Sequence, residues 1–373
     1  KFDMGQTLTE IAQTLRDTNK KVQLIYAFNG VGKTRLSREF KELIDPKAAD
    51  EADEEADKKI KVLYYNAFTE DLFYWDNDLD EDKNRKLVIH PNDFTGSTFK
   101  FLKDQGLDGN IASKFQHYTN SSITPKFNDG FSEVTFDIQR GGDNSINNIK
   151  ISKGEESNFI WCIFYNLIDQ VVNILNTTEL GDRSTDQFNQ LQYIFIDDPV
   201  TSLDENHLIE LAVDLAGLIK RSDYQFNNLK FIIATHNPLF YNVLCNKLSG
   251  AAKLLLEKMD DGTFEIKQTN DSPFSYHLFL LAELEKAIQT NEIRKYHYNF
   301  LRQLFEKTAT FLGYQDWKDL LPNEAQKAYY DMIISFHSHA KQSAEETILV
   351  NDNEKRVMRF LVDYIKTECH FKK

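Results

Sequence analysis

Cysteine, positive charge and long apolar runs are all scarce in this chain. The three cysteines, Cys162, Cys245 and Cys369, are too far apart for a metal site or a disulfide framework, and they indicate a reduced, cytoplasmic protein. No apolar run approaches the roughly 20 residues that a membrane-spanning helix needs, so we expect no membrane partner. No signal-peptide pattern is visible, but the chain begins with Lys1 rather than Met, and we do not take residue 1 as the start of the protein.

Charge is unevenly distributed along the chain. The 373 residues carry a net charge of -14, with 44 Lys and Arg against 58 Asp and Glu, which argues against a general nucleic-acid coat. Residues 271–373 are close to neutral, with 14 basic and 15 acidic residues, and they hold five of the nine histidines. The remainder carries 30 basic and 43 acidic residues. This change in composition predicts two domains, at residues 1–270 and 271–373.

A glycine-rich loop follows the first apolar segment. Val22–Tyr26 predicts a buried strand, and residues 27–34 read Ala-Phe-Asn-Gly-Val-Gly-Lys-Thr. Such a loop directs backbone N–H groups at phosphate oxygens, while its lysine reaches the terminal phosphates and its threonine hydroxyl holds Mg²⁺. Ala27 stands where the usual pattern has its first glycine, and alanine fits there if its φ stays negative. The helix that follows adds its N-terminal dipole. The predicted nucleotide-binding residues are Asn29, Gly30, Val31, Gly32, Lys33, Thr34 and Arg35.

Two carboxylates end a second apolar strand. Residues 193–196 are apolar, and Asp197 and Asp198 follow them directly. In phosphate-loop ATPases, Mg²⁺ and the attacking water are held at such a strand end. We assign Asp197 to the Mg²⁺ site together with Thr34, and Asp198 to nucleotide hydrolysis as the general base or the group that orients the water. A further buried strand leads to His236, which we expect to hydrogen-bond the terminal phosphate.

A short polar segment opens the helix that is predicted over residues 157–176. It reads Ser-Lys-Gly-Glu-Glu at residues 152–156. On its own this segment is an ordinary helix N-terminus. Ser152, Gly154 and Glu155 are nevertheless candidate contacts to a phosphate that approaches from outside the chain.

In this order, the motifs resemble the head of ABC-type ATPases, including the SMC branch. The resemblance assigns Walker A to 27–34, the signature to 152–156, Walker B to 193–198, the D-loop to 201–204 and the switch histidine to His236. It implies ATP or GTP with Mg²⁺, and a head-to-tail dimer or higher oligomer in which one signature covers another subunit's phosphate loop. The signature departs from Leu-Ser-Gly-Gly-Gln, and Asp198 replaces the usual catalytic glutamate. We expect slow hydrolysis, because the shorter carboxylate lies farther from the attacking water.

Strand signals stop after residue 275. Residues 276–313, 323–339 and 353–369 read as helices, whereas residues 120–151 alternate in places and predict antiparallel hairpins. The predicted fold class is therefore an α/β ABC-type head, with a mixed or parallel sheet covered by helices, followed by an all-helical domain.

An arginine, a glutamate and a histidine of the helical part are candidate catalytic residues. Arg302 and Glu306 are four residues apart and share one helix face, where an ordinary surface salt bridge is the simplest interpretation. His337 and His339 could ligate a metal, but no further ligands are evident. Arginine, glutamate and histidine can also cleave RNA without a metal. In that chemistry one of the glutamate and the histidine takes the proton of the 2′-OH, and the other protonates the leaving 5′-oxygen. The arginine stabilises the negative charge of the phosphorane.

Several stretches are similar to the PrrC-type bacterial anticodon nucleases. They are residues 24–30, 64–77, 152–161, 274–277, 306–309 and 311–314. The similarity runs nearly end to end, with looser matching at 78–150 and 340–373. It implies an antiphage endoribonuclease that cuts tRNA-Lys 5′ to the wobble base and leaves a 2′,3′-cyclic phosphate and a 5′-OH. The family's catalytic residues match Arg302, Glu306 and His339, and its substrate-recognition segment matches Asp271, Ser275, Tyr276 and His277.

The same resemblance implies regulation by a type I restriction–modification complex, which keeps the nuclease silent, and by dTTP. An alternative is an SMC-like, DNA-associated ATPase whose helical tail is an interaction module without nuclease activity. The sequence weighs against this alternative, because it has no long heptad stretch and no Cys-x-x-Cys hook. A third interpretation is an antiphage protein of this architecture that cuts a different tRNA.

Overall fold

A computed structural model of the chain describes residues 5–46, 60–66, 69, 71–81, 83–140, 144–199, 205–259, 261–269, 276–338 and 350–371. The chain divides into two compact units, Lys1–Ser272 and Pro273–Lys373. Helices and strands alternate in the first unit, and the second unit is helical in the part that is described. The predicted mixed sheet with helices, followed by a helical part, is confirmed in the described part of the chain.

A six-stranded sheet forms the centre of the first unit. Its strands are β1 (Val22–Tyr26), β2 (Val62–Tyr65), β8 (Tyr193–Asp197), β9 (Lys230–Thr235), β10 (Ala252–Lys258) and β11 (Phe264–Gln268). The order is β11-β10-β1-β9-β8-β2, and every neighbouring pair is parallel except β10 with β11. All residues of β1 and β8 are buried, as expected for central strands that are covered on both faces. The parallel sheet was therefore predicted correctly.

The register of the central strands positions the functional residues. Tyr26, the last residue of β1, pairs with Thr235 at the end of β9, and Asp197 at the end of β8 pairs with Ala234. Because the carboxyl ends of parallel strands meet at one edge of the sheet, the loop after β1 lies beside the residues that follow β8 and β9. This edge carries the candidate nucleotide site.

Eight α-helices are described in the first unit, besides a short 3₁₀ helix at Leu180–Asp182. The α-helices are α1 (Leu8–Asp17), α2 (Lys33–Ile44), α3 (Asp93–Asp104), α4 (Asp108–Thr119), α5 (Lys153–Leu175), α6 (Glu205–Arg221), α7 (Tyr224–Asn227) and α8 (Pro238–Lys247). α1 and α2 pack together and share a core with the sheet. In that core Phe40 of α2 lies edge-on to Tyr193, with ring centroids 4.9 Å apart. The helix that begins directly after the glycine-rich loop is thus fixed to the sheet.

The long helix α5 crosses the core of this unit. It is the one described helix that is long and apolar enough to span a membrane by length and composition, but 78% of its apolar window is buried inside the structure. Buried core helices of globular proteins meet the same criterion. α5 also carries Asn166, Asp169 and Gln170, so it is not an uninterrupted apolar run. It packs against α4 and α6.

A second, antiparallel sheet precedes α5 in the sequence. It contains β3 (Phe73–Asp76), β4 (Lys86–Ile89), β5 (Ile123–Phe127), β6 (Glu133–Arg140) and β7 (Asn144–Ile146). β6 pairs with β5 and with β7, which confirms the hairpins predicted over residues 120–151. β2 ends at Tyr65, and residues 67 and 68 lie outside the described part.

Four α-helices and two short 3₁₀ helices, Trp317–Leu320 and Asn323–Ala325, are described in the second unit. The α-helices are α9 (Tyr276–Gln289), α10 (Tyr296–Leu312), α11 (Gln326–Ser338) and α12 (Asp352–Glu368). The prediction of a continuous helix over 276–313 is wrong, because residues 290–295 are not helical and separate α9 from α10. Asn291 there has a φ of 57°, which no α-helix accommodates, and Ile293 is fully buried in the core of the unit.

Candidate functional site

The loop between β1 and α2 has the backbone of a phosphate cradle. Gly30 and Gly32 adopt φ values of 81° and 113°, which residues with a side chain rarely take, so these two glycines are required by the backbone. Gly32 is also the N-cap of α2. Ala27 is buried, its N–H donates to the Thr235 carbonyl at 3.0 Å, and its φ is not positive. Alanine therefore fits at this position of the loop, because its φ is not positive.

Lys33 is buried in the loop that it serves. Its side chain is 6% exposed and lies 3.1 Å from Asp198 Oδ2. The ammonium group also donates to the carbonyls of Ala27 and Phe28 at 3.1 and 3.3 Å, and to Asn29 Oδ1 at 3.4 Å. Oxygen atoms of the protein thus surround the ammonium group of Lys33, in the place where phosphate oxygens of a nucleotide are expected to bind it.

Thr34 and Asp197 form the candidate Mg²⁺ site. Thr34 Oγ1 donates to Asp197 Oδ2 at 2.7 Å, although 163 residues separate them in the sequence. Asp197 is 2% exposed, and within the described part of the chain its Oδ1 is buried without a hydrogen-bond partner. Burial raises the pKa of this carboxyl to about 6. A buried carboxylate oxygen without a partner beside a hydroxyl is a donor set that suits Mg²⁺, so the residues fit the ion.

Asp198 and His236 lie next to this pair. Asp198 has a φ of 47°, and its backbone N–H donates to the Ala234 carbonyl at 2.8 Å, which turns the side chain toward the glycine-rich loop. Its Oδ1 accepts the His236 backbone N–H at 2.9 Å and lies 2.9 Å from His236 Nδ1. Burial acts to raise the pKa of Asp198, but hydrogen bonding to His236 and the charge of Lys33 outweigh it and hold that pKa below its usual range.

A polar cluster beside the candidate Mg²⁺ site was not predicted from the sequence. Ser37 Oγ and Tyr64 Oη are 2.8 Å apart, and Asn66 Nδ2 donates to the same tyrosine oxygen. Burial is the main cause that raises the Tyr64 pKa, and the charge of Asp197 raises it further. The signal that could have revealed this cluster is positional, because Tyr64 and Asn66 occur where β2 ends, at the same edge of the sheet.

The segment at residues 152–156 forms the first turn of α5. Ser152 caps the helix, since its Oγ accepts the Glu155 N–H at 3.3 Å while Glu155 Oε2 accepts the Ser152 N–H at 2.7 Å. The ordinary helix-start interpretation is therefore correct for the isolated chain. Among the described residues, no hydrogen bond or ion pair joins Ser152, Gly154 or Glu155 to the glycine-rich loop. Their contact with nucleotide remains a prediction for a second copy of the chain.

The structure brings most of the predicted nucleotide-site residues together at the edge formed by β1, β8 and β9. Val31 packs against the core of the sheet, and Arg35 is exposed on α2. The predicted D-loop at 201–204 lies outside the described residues.

In the second unit, Arg302 and Glu306 lie side by side on α10. Arg302 Nε donates to Glu306 Oε1 at 2.7 Å, and the two side chains are 26% and 34% exposed. The pair is a salt bridge, as the simplest interpretation of the spacing has it, and both groups remain open to solvent. His339, Asp271 and Ser275 lie outside the described residues, while Tyr276 and His277 begin α9.

A histidine at the start of α10 is structural. His297 is 3% exposed, its Nδ1 accepts the Arg294 backbone N–H at 2.9 Å, and burial lowers its pKa to about 4. It therefore stays neutral near pH 7 and supports the turn before α10. Within the described ranges, no group of three or more His, Cys, Asp or Glu side chains is placed to hold a metal ion.

Comparison with known proteins gives one strong match. A protein of Escherichia coli described as an anticodon nuclease is 51% identical over 392 residues, which span 99% of this chain and 98% of that protein. No protein-family model matches the sequence.

The solved structures that the chain matches include SMC head domains. One is an SMC head bound to the C-winged helix domain of ScpA, with a TM-score of 0.34, 13% identity, and coverage of 68% of this chain and 90% of that one. Another is the SMC head domain from Thermotoga maritima, with a TM-score of 0.32, 12% identity, and coverage of 67% and 90%. The structural similarity is remote, whereas the similarity to the Escherichia coli protein covers both chains.

Proposed function

The chain belongs to the anticodon nuclease family, and on that premise we propose that it is a nucleotide-gated endoribonuclease that cuts tRNA in the anticodon loop. The observation that carries this proposal is the 51% identity to the Escherichia coli anticodon nuclease over 99% of the chain. We propose tRNA-Lys as the substrate, cut 5′ to the wobble position. The products are a 2′,3′-cyclic phosphate and a 5′-OH.

The nuclease chemistry is assigned to Arg302, Glu306 and His339. The 2′-oxygen attacks the adjacent phosphorus, the bond from phosphorus to the 5′-oxygen breaks, and one proton passes from the 2′-OH to the leaving oxygen. One of Glu306 and His339 takes the 2′-OH proton as the base, the other protonates the leaving 5′-oxygen as the acid, and Arg302 stabilises the negative charge of the phosphorane. The distance of 2.7 Å between Arg302 Nε and Glu306 Oε1 supports joint action at one phosphate. Asp271, Ser275, Tyr276 and His277 are proposed to recognise the RNA.

The first unit is proposed to bind ATP or GTP, with dTTP as a regulatory ligand. Thr34 and Asp197 would hold Mg²⁺, which when bound neutralises charge on the phosphates. Lys33 is available for a phosphate oxygen once that oxygen replaces Asp198 and the loop carbonyls around the ammonium group. Nucleotide binding would thereby free the Asp198 carboxylate to orient water, while His236 stays beside it. This exchange of partners is how the site would sense a bound nucleotide.

We propose that bound nucleotide joins two chains head to tail, with Ser152, Gly154 and Glu155 of one chain over the phosphate loop of the other. Self-association then strengthens with nucleotide by mass action. A type I restriction–modification complex is the proposed silencing partner, and the cytoplasm, where tRNA is found, is the proposed location. The roles in antiphage defence and as a toxin follow from the same family resemblance.

RNA from cells that express the full-length protein tests this function. Halves of tRNA-Lys are expected to accumulate with the unaltered protein and to disappear with His339→Ala. Lys307→Ala changes an exposed residue of α10 and serves as the matched control, with halves retained. Intact tRNA together with retained ATPase activity would favour an SMC-like, DNA-associated ATPase instead. Cut ends in another tRNA would correct the substrate and leave the reaction type in place.

A further inference from the structure

A short stretch of β3 holds the first turn of α5 on one side. Trp75 Nε1 donates to Glu156 Oε2 at 2.9 Å, and the other carboxylate oxygen, Oε1, lies 2.5 Å from Lys153 Nζ. The Glu156 side chain is 4% exposed, whereas that of Lys153 is 74% exposed. A buried carboxylate therefore connects a tryptophan of the antiparallel sheet to the turn that contains Ser152 and Gly154.

Trp75 of β3 and Asn77, which directly follows β3, also hold the chain before that turn. Lys150 Nζ donates to Asn77 Oδ1 at 2.7 Å and lies 5.6 Å from the centre of the Trp75 ring, within cation–π distance. Lys150, two positions before Ser152, is thus attached to Asn77 and to the Trp75 ring. Glu156, four positions after Ser152, is attached to the indole N–H of Trp75. The N-terminal turn of α5 is fixed between these two attachments.

The indole N–H of Trp75 has a specific electrostatic task. A buried carboxylate needs hydrogen bonds and an opposite charge, and hydrogen bonds to a charged group are stronger than those between neutral groups. Lys153 and Trp75 supply these to Glu156. They also offset a negative charge close to a helix N-terminus, where it would otherwise oppose the approach of a phosphate. Phenylalanine at position 75 would keep a ring but lose the donor.

We propose that Trp75 is a positioning residue for the Ser152–Gly154 turn in nucleotide-driven pairing of two chains. It acts through Glu156 and Lys150 and does not touch the nucleotide of its own chain. The inference rests on the proposed head-to-tail pairing and deepens it, because it names what holds the turn ready for the phosphates of the second chain.

The test compares Trp75→Phe with Tyr74→Phe in the full-length protein. Tyr74 is the preceding residue of β3 and is 45% exposed, so its variant is a matched control. Self-association is measured by sedimentation with a non-hydrolysable ATP analogue and Mg²⁺. Nucleotide affinity of single chains is measured with a fluorescent ATP analogue at protein concentrations below the pairing range. Lys150→Met, which changes an exposed residue, tests the second attachment without altering the buried one.

We expect Trp75→Phe to weaken nucleotide-driven association about tenfold or more, as loss of a hydrogen bond to a charged group predicts. Single-chain nucleotide affinity should stay unchanged, Lys150→Met should weaken association in the same direction, and Tyr74→Phe should associate like the unaltered protein. Unchanged association of Trp75→Phe would overturn the assignment, as would an equal loss of single-chain nucleotide binding. If the unaltered protein does not associate with nucleotide, the proposed pairing itself fails.

Discussion

Thr34 Oγ1 and Asp197 Oδ2 lie 2.7 Å apart, so the two residues predicted to hold Mg²⁺ are in direct contact. One belongs to the first turn of α2 and the other ends β8. Their contact depends on the register of β1, β9 and β8 at the centre of the sheet. The nucleotide site is therefore built by the fold as a whole, and it can be tested residue by residue.

Thr34→Val should separate Mg²⁺-dependent from Mg²⁺-independent nucleotide binding. Valine keeps the shape of the side chain but removes the hydroxyl, so we expect the affinity gained on adding Mg²⁺ to fall about tenfold or more. Titration with a fluorescent ATP analogue, with and without Mg²⁺, measures this difference. Glu39→Gln, at an exposed position of the same helix, is the control. An unchanged response of Thr34→Val to Mg²⁺ would contradict the assignment.

Asp197→Asn should stabilise the ligand-free protein at neutral pH. The pKa of Asp197 is raised by burial to about 6, above its value in the unfolded chain. The folded state thus binds this proton more tightly, and the free energy of unfolding falls as pH rises from about 4 to about 6. Above this range the charged carboxylate costs roughly 3 kcal/mol, which asparagine avoids.

Thermal unfolding without nucleotide and Mg²⁺ measures this effect. The melting temperature of Asp197→Asn should exceed that of the unaltered protein near pH 7, and the difference should shrink toward pH 5. A pH-independent difference would show that the buried charge is not its cause. Mg²⁺-dependent nucleotide binding by Asp197→Asn should be weaker than by the unaltered protein, because the variant lacks the carboxylate that holds Mg²⁺.

Lys33→Ala should remove the response of RNA cleavage to nucleotide. The lysine is 6% exposed and in contact with both Asp198 and the loop carbonyls, so its loss disables the phosphate site while α10 is unaltered. Cleavage of tRNA by the full-length variant, measured with and without ATP, should give equal rates. Rates that still differ with ATP would show that nucleotide acts elsewhere on the chain.

ATP hydrolysis by the unaltered protein should be slow. Asp198 is one methylene shorter than the glutamate usual in ABC heads, and His236, whose backbone N–H lies 2.9 Å from Asp198 Oδ1, is proposed to stay beside it when nucleotide binds. Such a carboxylate is poorly placed to reach an attacking water, which suits a switch that stays nucleotide-bound. Steady-state release of inorganic phosphate measures the rate. A turnover of tens per second or more would contradict this account.

The sequence alone was enough to predict the parts of the site that local chemistry determines. Gly30 and Gly32 are required by backbone angles, and Asp197 and Asp198 were assigned because they end an apolar strand. Contacts between distant segments that carry no recognisable motif were not predicted. The Ser37–Tyr64 pair joins α2 to β2, and Trp75 reaches Glu156 across 81 residues, so both depend on how two elements pack.

The helical unit illustrates the same limit. Residues 276–313 have the periodicity of one helix, yet the helix is interrupted near Asn291, which has a φ of 57°. The interruption allows Ile293 to pack in the core of the unit. Burial of Ile293 is a tertiary effect, and helical periodicity does not reveal it. The spacing of Arg302 and Glu306 did predict their contact, because residues four apart on a helix are neighbours.

Mapping the RNA ends produced by the purified full-length protein tests the central claim most directly. The unaltered protein and the Lys307→Ala control, incubated with tRNA-Lys and nucleotide, should each cut the tRNA into two halves. The cut should lie 5′ to the wobble position and leave a 2′,3′-cyclic phosphate and a 5′-OH. Arg302→Ala and His339→Ala should leave the tRNA whole. Intact tRNA with the unaltered protein, or halves that persist in both variants, would contradict the account.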